Sequence, residues 1–194
     1  MKLSSEILER FEQGFGQAVA AGIPEPTAMT LATTDAAGRP DARTVLLKGH
    51  DADGFVFYTN LESRKGRTLA ANPQACLMFW WRETEQQVII NGRAGQVPDE
   101  EADAYFASRP RGSRIGAWAS RQSRELDERA TLIRRIEELE KEYRGRDIPR
   151  PPHWSGFRVD ADRVEFWYGR PYRLHERIVY TAAERGWERS LLYP

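Results

Sequence analysis

Two long segments of the chain carry apolar residues at helical spacing, and most of the remainder carries them in short runs of strand length. Residues 4 to 21 set Ile7, Leu8, Phe11, Phe15 and Val19 on one stripe, with Ser4 or Ser5 available as the cap, which predicts a packing helix. Between Glu125 and Tyr143 a charged helix carries Leu132, Ile136, Leu139 and Tyr143 on its apolar side. Strand signals fall at Thr27–Thr33, Arg43–Lys48, Phe55–Thr59, Ala75–Trp81 and Gln87–Val97, separated by turn clusters such as Ala36-Ala37-Gly38-Arg39-Pro40. They resume beyond the proline-rich loop 145–152, at Gly156–Val159, Arg163–Tyr168, Tyr172–Tyr180 and Trp187–Tyr193. A short helix is expected from Arg64 to Ala71, stopped by Asn72-Pro73, and another start at Pro98-Asp99-Glu100-Glu101. Short connections between short strands predict an antiparallel barrel or sandwich with peripheral helices, an α+β but mainly β class. One domain over residues 1–194 is expected, with an N-terminal helix in 1–22 and a peripheral helix in 124–145.

Charge and composition narrow the picture mainly by exclusion. Lysine plus arginine and aspartate plus glutamate balance at 29 each, so nothing overall argues for nucleic acid or an anionic membrane as partner, and local cation clusters need local explanations. The single cysteine, Cys76, lies in the apolar run Ala75 to Trp81 and reads as a small buried hydrophobe. Three histidines and one cysteine show no metal-ligand spacing, and neither His50 nor His153 has a motif around it. A signal peptide's basic region and apolar core are not found at the N-terminus, and no apolar run approaches the length of a membrane span, so a soluble cytoplasmic protein is expected. The six tryptophans, Trp80, Trp81, Trp118, Trp154, Trp167 and Trp187, read mostly as core or dimer surface.

The stretch from Arg43 to Lys65 concentrates the chemistry. Thr44–Leu47 and Phe55–Tyr58 flank Asp51-Ala52-Asp53-Gly54, which predicts a hairpin between those two runs. Arg43 opens the first strand and Lys48 closes it, while the second runs into Ser63-Arg64-Lys65 at a helix start. Ser63 can cap that helix, whose N–H groups and dipole favour an anion, and Arg64 and Lys65 add charge-assisted donors: a plausible phosphate cradle.

This stretch resembles the flavin-binding core of the pyridoxamine 5'-phosphate oxidase family. The family's further blocks follow in order: Gln87 in QQVII, Tyr105 to Ser113 in YFASRPRGS, IGAWASRQS at Ile115 to Ser123, WSGFRV at Trp154, EFWYG at Glu165 and RLHERIVY at Arg173. The resemblance implies an FMN-binding split β-barrel and a homodimer with two flavin mononucleotide sites at the subunit interface. Flavin contacts then fall on Arg43, Thr44, Val45, Leu46, Lys48, Tyr58 and Thr59, with Arg64 and Lys65 on its phosphate beside the Ser63 cap. Gln87, Gln122, Ser123, Trp167 and Arg177 match the remaining flavin contacts. Lys48, Tyr105, Arg109 and Ser113 match the clamp on the substrate phosphate, and Arg173 and His175 the catalytic groups near the pyridine ring. Read as a strand, RLHER turns Arg173, His175 and Arg177 to one face.

The activity this implies is oxidation of pyridoxamine 5'-phosphate or pyridoxine 5'-phosphate to pyridoxal 5'-phosphate, with O2 as acceptor and hydrogen peroxide as product, and ammonia from the amine. No metal is required. Two alternatives share the flavin site: an oxidase of another ring system, such as phenazine precursors, and a flavin-binding protein that turns over no substrate. One departure concerns the N-terminus. Many family members carry an extension whose arginine and tyrosine close over the substrate, and the residues before Pro24 show no match to it.

Overall fold

The computed structural model describes residues 1–194. Its frame is a nine-stranded antiparallel sheet in the order β2-β1-β5-β6-β7-β4-β3, with β8 added to β7 and β9 to β8. The strands are β1 (Ala28–Thr34), β2 (Pro40–Leu46), β3 (Gly49–Asp51), β4 (Gly54–Asn60), β5 (Gln74–Trp81), β6 (Gln86–Gln96), β7 (Trp154–Tyr168), β8 (Glu176–Ala183) and β9 (Gly186–Leu192). Strand β7 is where the sheet divides. Its first residues, Trp154 to Val159, pair with β4, whereas Arg163 to Tyr168 pair with β8, and β6 runs beside both parts. The bend is a bulge opposite Asn91 and Gly92. Gly92 permits it, since a Cβ there would lie 2.1 Å from the Asp160 carbonyl oxygen. The chain passes from β2 directly into β3, and between them the Lys48 N–H donates to the Val56 carbonyl of β4 at 2.8 Å, which brings the β4–β3 arm back beside the end of β2. The result is a curled half-barrel.

The concave side holds the main core, in which Leu31, Phe55, Phe57, Leu77, Phe79, Ile90 and Val159 alternate with outward residues along their strands. Helix α1 (Ser5–Ala20) closes it. Ser4 caps this helix by accepting from the Ile7 N–H at 3.3 Å, and Ile7, Phe11 and Ala18 are buried. Val19, expected on the buried stripe, is 53% exposed; the stripe runs instead through Gly14, where Trp81 and Gln86 approach closer than a Cβ would allow. A smaller second core joins Phe106, Ile115, Leu139, Ile148 and Trp154, contributed by α3 (Asp99–Ser108), α4 (Arg111–Ala119), α5 (Arg129–Glu142) and the start of β7. The predicted apolar stripe of α5 packs here. Helix α2 (Arg64–Ala71) has the expected bounds.

Four expectations are corrected. The Thr44–Leu47 run pairs with β1, from Ala28 opposite Leu46 to Thr34 opposite Pro40, and the Asp51–Gly54 turn joins β4 to the short β3 instead. The two strands expected at Gly156–Val159 and Arg163–Tyr168 are one bulged strand. Strand β8 begins at Glu176, because Pro171–Arg173 forms a 3-10 turn with Tyr172 and Arg173 at φ 59° and 61°. Arg173 and His175 therefore lie outside the strand, and the shared face with Arg177 does not form. Helix α4 follows Pro110 directly, where no helix was expected. Cys76 is half-buried, and burial pushes its thiol pKa up. No helix is long and apolar enough to cross a membrane.

Candidate active site

Between the two cores lies a cavity of about 610 Å³, within the roughly 300–1,000 Å³ range typical of small-molecule sites. Edge strand β2 lines it with Thr44, Val45 and Leu46, followed by Lys48; β4 supplies Tyr58 and Thr59, and α2 supplies Lys65. From the other side come Tyr105 at the end of α3, Arg109 at its C-cap, Ser113 on α4 and Gln122 beyond it. Residues from four of the separated sequence blocks thus meet in one space.

The lining contains no aspartate or glutamate. Lys48, Lys65 and Arg109 all face it, and none has a carboxylate within ion-pair distance. Burial depresses the Lys65 pKa, the charge of Arg43 adds to this, and Asp41 opposes it. Lys65 Nζ donates to Gln122 Oε1 at 3.1 Å, and the Thr59 hydroxyl donates to the same oxygen at 3.3 Å. Arg109 is lowered by burial too, and its Nη1 is buried without an acceptor. A half-buried cation with one buried donor left without an acceptor is costly until an anion completes it.

Aromatic rings form one wall. Tyr58 stacks on Tyr105 with centroids 4.0 Å apart and planes 12° apart, and on Trp154 at 5.2 Å and 7°. Gly156 leaves the room for the Tyr58 ring, since a Cβ there would lie 2.8 Å from it. Burial pushes the Tyr58 hydroxyl up to about 12, helped by Glu101, so it stays a neutral donor at ordinary pH.

The helix start beside the cavity is built as expected. Ser63 is fully buried and accepts from the Gly66 N–H at 3.2 Å. Arg64 and Arg43 behave differently from Lys65, because Asp41 holds Arg64 Nε at 3.0 Å and Arg43 Nη2 at 2.7 Å. Arg43 Nη1 also donates to the Leu31 carbonyl and the Thr33 hydroxyl, both at 2.9 Å. Neither side chain lines the cavity. Ser123, at φ 68°, borders an adjoining groove together with Gln122.

The remaining predicted residues gather elsewhere, on one row across β6, β7 and β8, where Gln87 is opposite Trp167 and Trp167 opposite Arg177. Trp80 meets Trp167 edge-on at 5.8 Å, and the His175 ring lies 4.5 Å from Trp167. His175 Nδ1 accepts from the Arg170 N–H at 3.1 Å, which fixes its ring. Arg177 Nε donates at 2.7 Å to Glu165, a carboxylate 2% exposed that also accepts from Arg163 at 2.6 Å. Burial alone would raise the Glu165 pKa, but these two arginines hold it below its ordinary value. Arg173 is exposed. From β2 to β6 is three strands, and to β8 five, or roughly 14 and 24 Å along the sheet at about 4.8 Å per strand.

The cavity also uses residues that sequence reasoning passed over: Asn60, Pro110, Gly116, Ala117, Ser120 and Trp154. Asn60 holds the loop after α4 by donating to the Ser120 carbonyl at 3.4 Å. Trp154 opens the WSGFRV block, and that position within a functional block was the available signal.

Comparison with known proteins places these features in context. Residues 15–143 match the family model described as pyridoxamine 5'-phosphate oxidase, and residues 154–194 the one described as pyridoxine 5'-phosphate oxidase C-terminal dimerisation region. The chain is 54% identical to a pyridoxine/pyridoxamine 5'-phosphate oxidase of Rubrobacter xylanophilus, over 96% of this chain and 86% of that protein. It is 58% identical to the protein of that name from Burkholderia multivorans, over 95% and 87%. Among solved structures it is similar to PhzG from Burkholderia lata in complex with tetrahydrophenazine-1-carboxylic acid, with a TM-score of 0.93, 34% identity, and coverage of 98% of this chain and 94% of that one. A pyridoxamine 5'-phosphate oxidase-related, FMN binding protein from Nostoc punctiforme shares the fold at a TM-score of 0.77 and 18% identity, over the full length of both chains.

Proposed function

The chain belongs to the pyridoxamine 5'-phosphate oxidase family, and from that premise we propose that it is an FMN-dependent oxidase making pyridoxal 5'-phosphate. Pyridoxine 5'-phosphate and O2 give pyridoxal 5'-phosphate and hydrogen peroxide; pyridoxamine 5'-phosphate, O2 and water give the same two products and ammonia. The observation that carries this reading is the carboxylate-free cavity with three cations that have no carboxylate partner and a stacked aromatic wall. Such a lining fits flat ligands that end in phosphate.

Flavin mononucleotide, when bound, supplies the two-electron acceptor. Its phosphate falls to Lys65 and the remaining N–H groups at the start of the helix that Ser63 caps, with Arg64 released from Asp41 to join them. The backbone and side chains from Thr44 to Leu46, with Tyr58, Thr59 and Gln122, hold the body of the cofactor. Lys48, Tyr105, Arg109 and Ser113 take the substrate phosphate. Gln87, Trp167, His175 and Arg177 are assigned to the site of the other subunit in a homodimer, with exposed Arg173 beside them; the match to a dimerisation region supports this.

Purified protein is expected to be yellow, to release the mononucleotide on heating, and to consume oxygen with pyridoxamine 5'-phosphate in an oxygen-electrode assay. Protein that is colourless and cannot be reconstituted with the mononucleotide overturns the proposal. The likeness to PhzG supports a second reading, in which a ring carboxylate replaces the phosphate ester. Assaying dihydrophenazine-type carboxylic acids beside the phosphorylated pyridines separates the two; preference for the carboxylic acids would select the second.

A further inference from the structure

Arg109 is held in an unusual way for a half-buried cation. It forms no ion pair within the chain, and its Nη1 is buried without an acceptor. What holds it is aromatic: the guanidinium carbon lies 4.8 Å from the centroid of the Trp154 ring and 5.6 Å from that of Phe106. Trp154 is itself fixed. It is 6% exposed, stacks on Tyr58, meets Phe106 edge-on at 5.0 Å, and its carbonyl accepts from Arg150 at 2.8 Å.

We infer that Trp154 is a positioning residue for substrate, presenting the Arg109 guanidinium to the substrate's phosphate through its ring face. A carboxylate could hold Arg109 as firmly, but it would occupy the N–H donors and compete with the incoming anion. A ring face attracts the cation through its quadrupole and leaves the donors in the guanidinium plane free. The inference rests on the assignment of Arg109 to the substrate phosphate made above.

A double-mutant cycle on the flavin-loaded enzyme tests it. Trp154→Leu is expected to raise KM for pyridoxamine 5'-phosphate, and the dissociation constant of pyridoxal 5'-phosphate, by roughly three- to thirtyfold, with kcat little changed. Trp154→Phe, which keeps a ring face, should restore most of the affinity. In an Arg109→Ala background neither change at 154 should weaken binding further. Should the Leu variant fail to melt cooperatively, Trp154→Phe is read through the same cycle, and its smaller loss must likewise vanish without Arg109. Equal losses at 154 with and without Arg109 would overturn the inference while leaving the site assignment intact. If Arg109→Ala alone left both constants unchanged, the assignment of Arg109 itself would fall.

Discussion

Lys65 and Gly66 stand side by side at the start of α2, and their replacement fails for different reasons. Lys65 has one neutral partner, Gln122, and no carboxylate, so its charge is available to an anion. Lys65→Ala is expected to leave the fold intact and weaken flavin mononucleotide binding about ten- to hundredfold, the equivalent of a charged hydrogen bond worth roughly 1.5–3 kcal/mol. Titration by quenching of flavin fluorescence measures it; unchanged affinity would remove Lys65 from the phosphate site. Gly66→Ala should act on stability, because its Cβ would lie 2.3 Å from the Leu61 carbonyl oxygen and 2.7 Å from that of Asn60. Overpacking against fixed backbone costs roughly 1–3 kcal/mol, so a thermal melt should show the loss even without ligand. Much of the cavity was legible at this scale, since Lys48, Lys65, Tyr105, Arg109 and Ser113 sit in recognisable blocks and do converge. Trp154 was not, because a tryptophan reads equally as core or site, and this one belongs to both.

Elements with clean periodicity were read to within a residue or two, as α2, β5 and β6 show. Elements whose pattern is broken locally were not. Pro110, Gly112 and Gly116 disguise α4, and the polar residues Asp160 and Asp162 at the bulge divide β7 on paper though not in the sheet. Strand alternation was carried too far toward Pro171, where Tyr172 and Arg173 take positive φ instead. Tyr172 is almost fully exposed, so its left-handed backbone has no packing to justify a side chain. Tyr172→Gly should relieve about 1 kcal/mol of that strain, worth about 2–4 °C in Tm at this size; a lower Tm in calorimetry would count against strain at the turn. One strand away, Glu165 joins β7 to β8 through Arg177 and also pairs with Arg163 of its own strand. Glu165→Ala leaves two arginines without their buried anion and should cost about 3–5 kcal/mol at neutral pH. The folded pKa of Glu165 is depressed, so its contribution is fully present above the unfolded value near 4.3 and is lost as pH falls through the folded value. Denaturant melts of both proteins should therefore converge only below about pH 4.

At the scale of the whole molecule the order of strands was not legible, because alternation tells which face a residue takes and not which strand lies beside it. That order has a functional consequence. It puts the Lys65 cavity beside the edge strand β2 and the Gln87–Trp167–Arg177 row three to five strands away along the sheet. A two-fold homodimer resolves this if each site joins one subunit's cavity to the other's row. Flavin then binds only the assembled state, and a hundredfold excess over its dissociation constant should stabilise the dimer by about 2.7 kcal/mol for each of its two sites. The same arrangement makes a sharper prediction. Lys65→Ala damages only the cavity half and Arg177→Ala only the row, so each homodimer carries two impaired sites. Co-refolding equal amounts of the two should give heterodimers in which one site combines both damaged halves and the other combines both intact ones. With random assortment half of the dimers are mixed, and about a quarter of all sites should recover wild-type flavin affinity and turnover. Flavin content and oxygen uptake of the mixture, compared with the average of the two parents, measure this recovery. A mixture no better than that average, with heterodimers confirmed by mass, would place both halves in a single chain and remove the shared site.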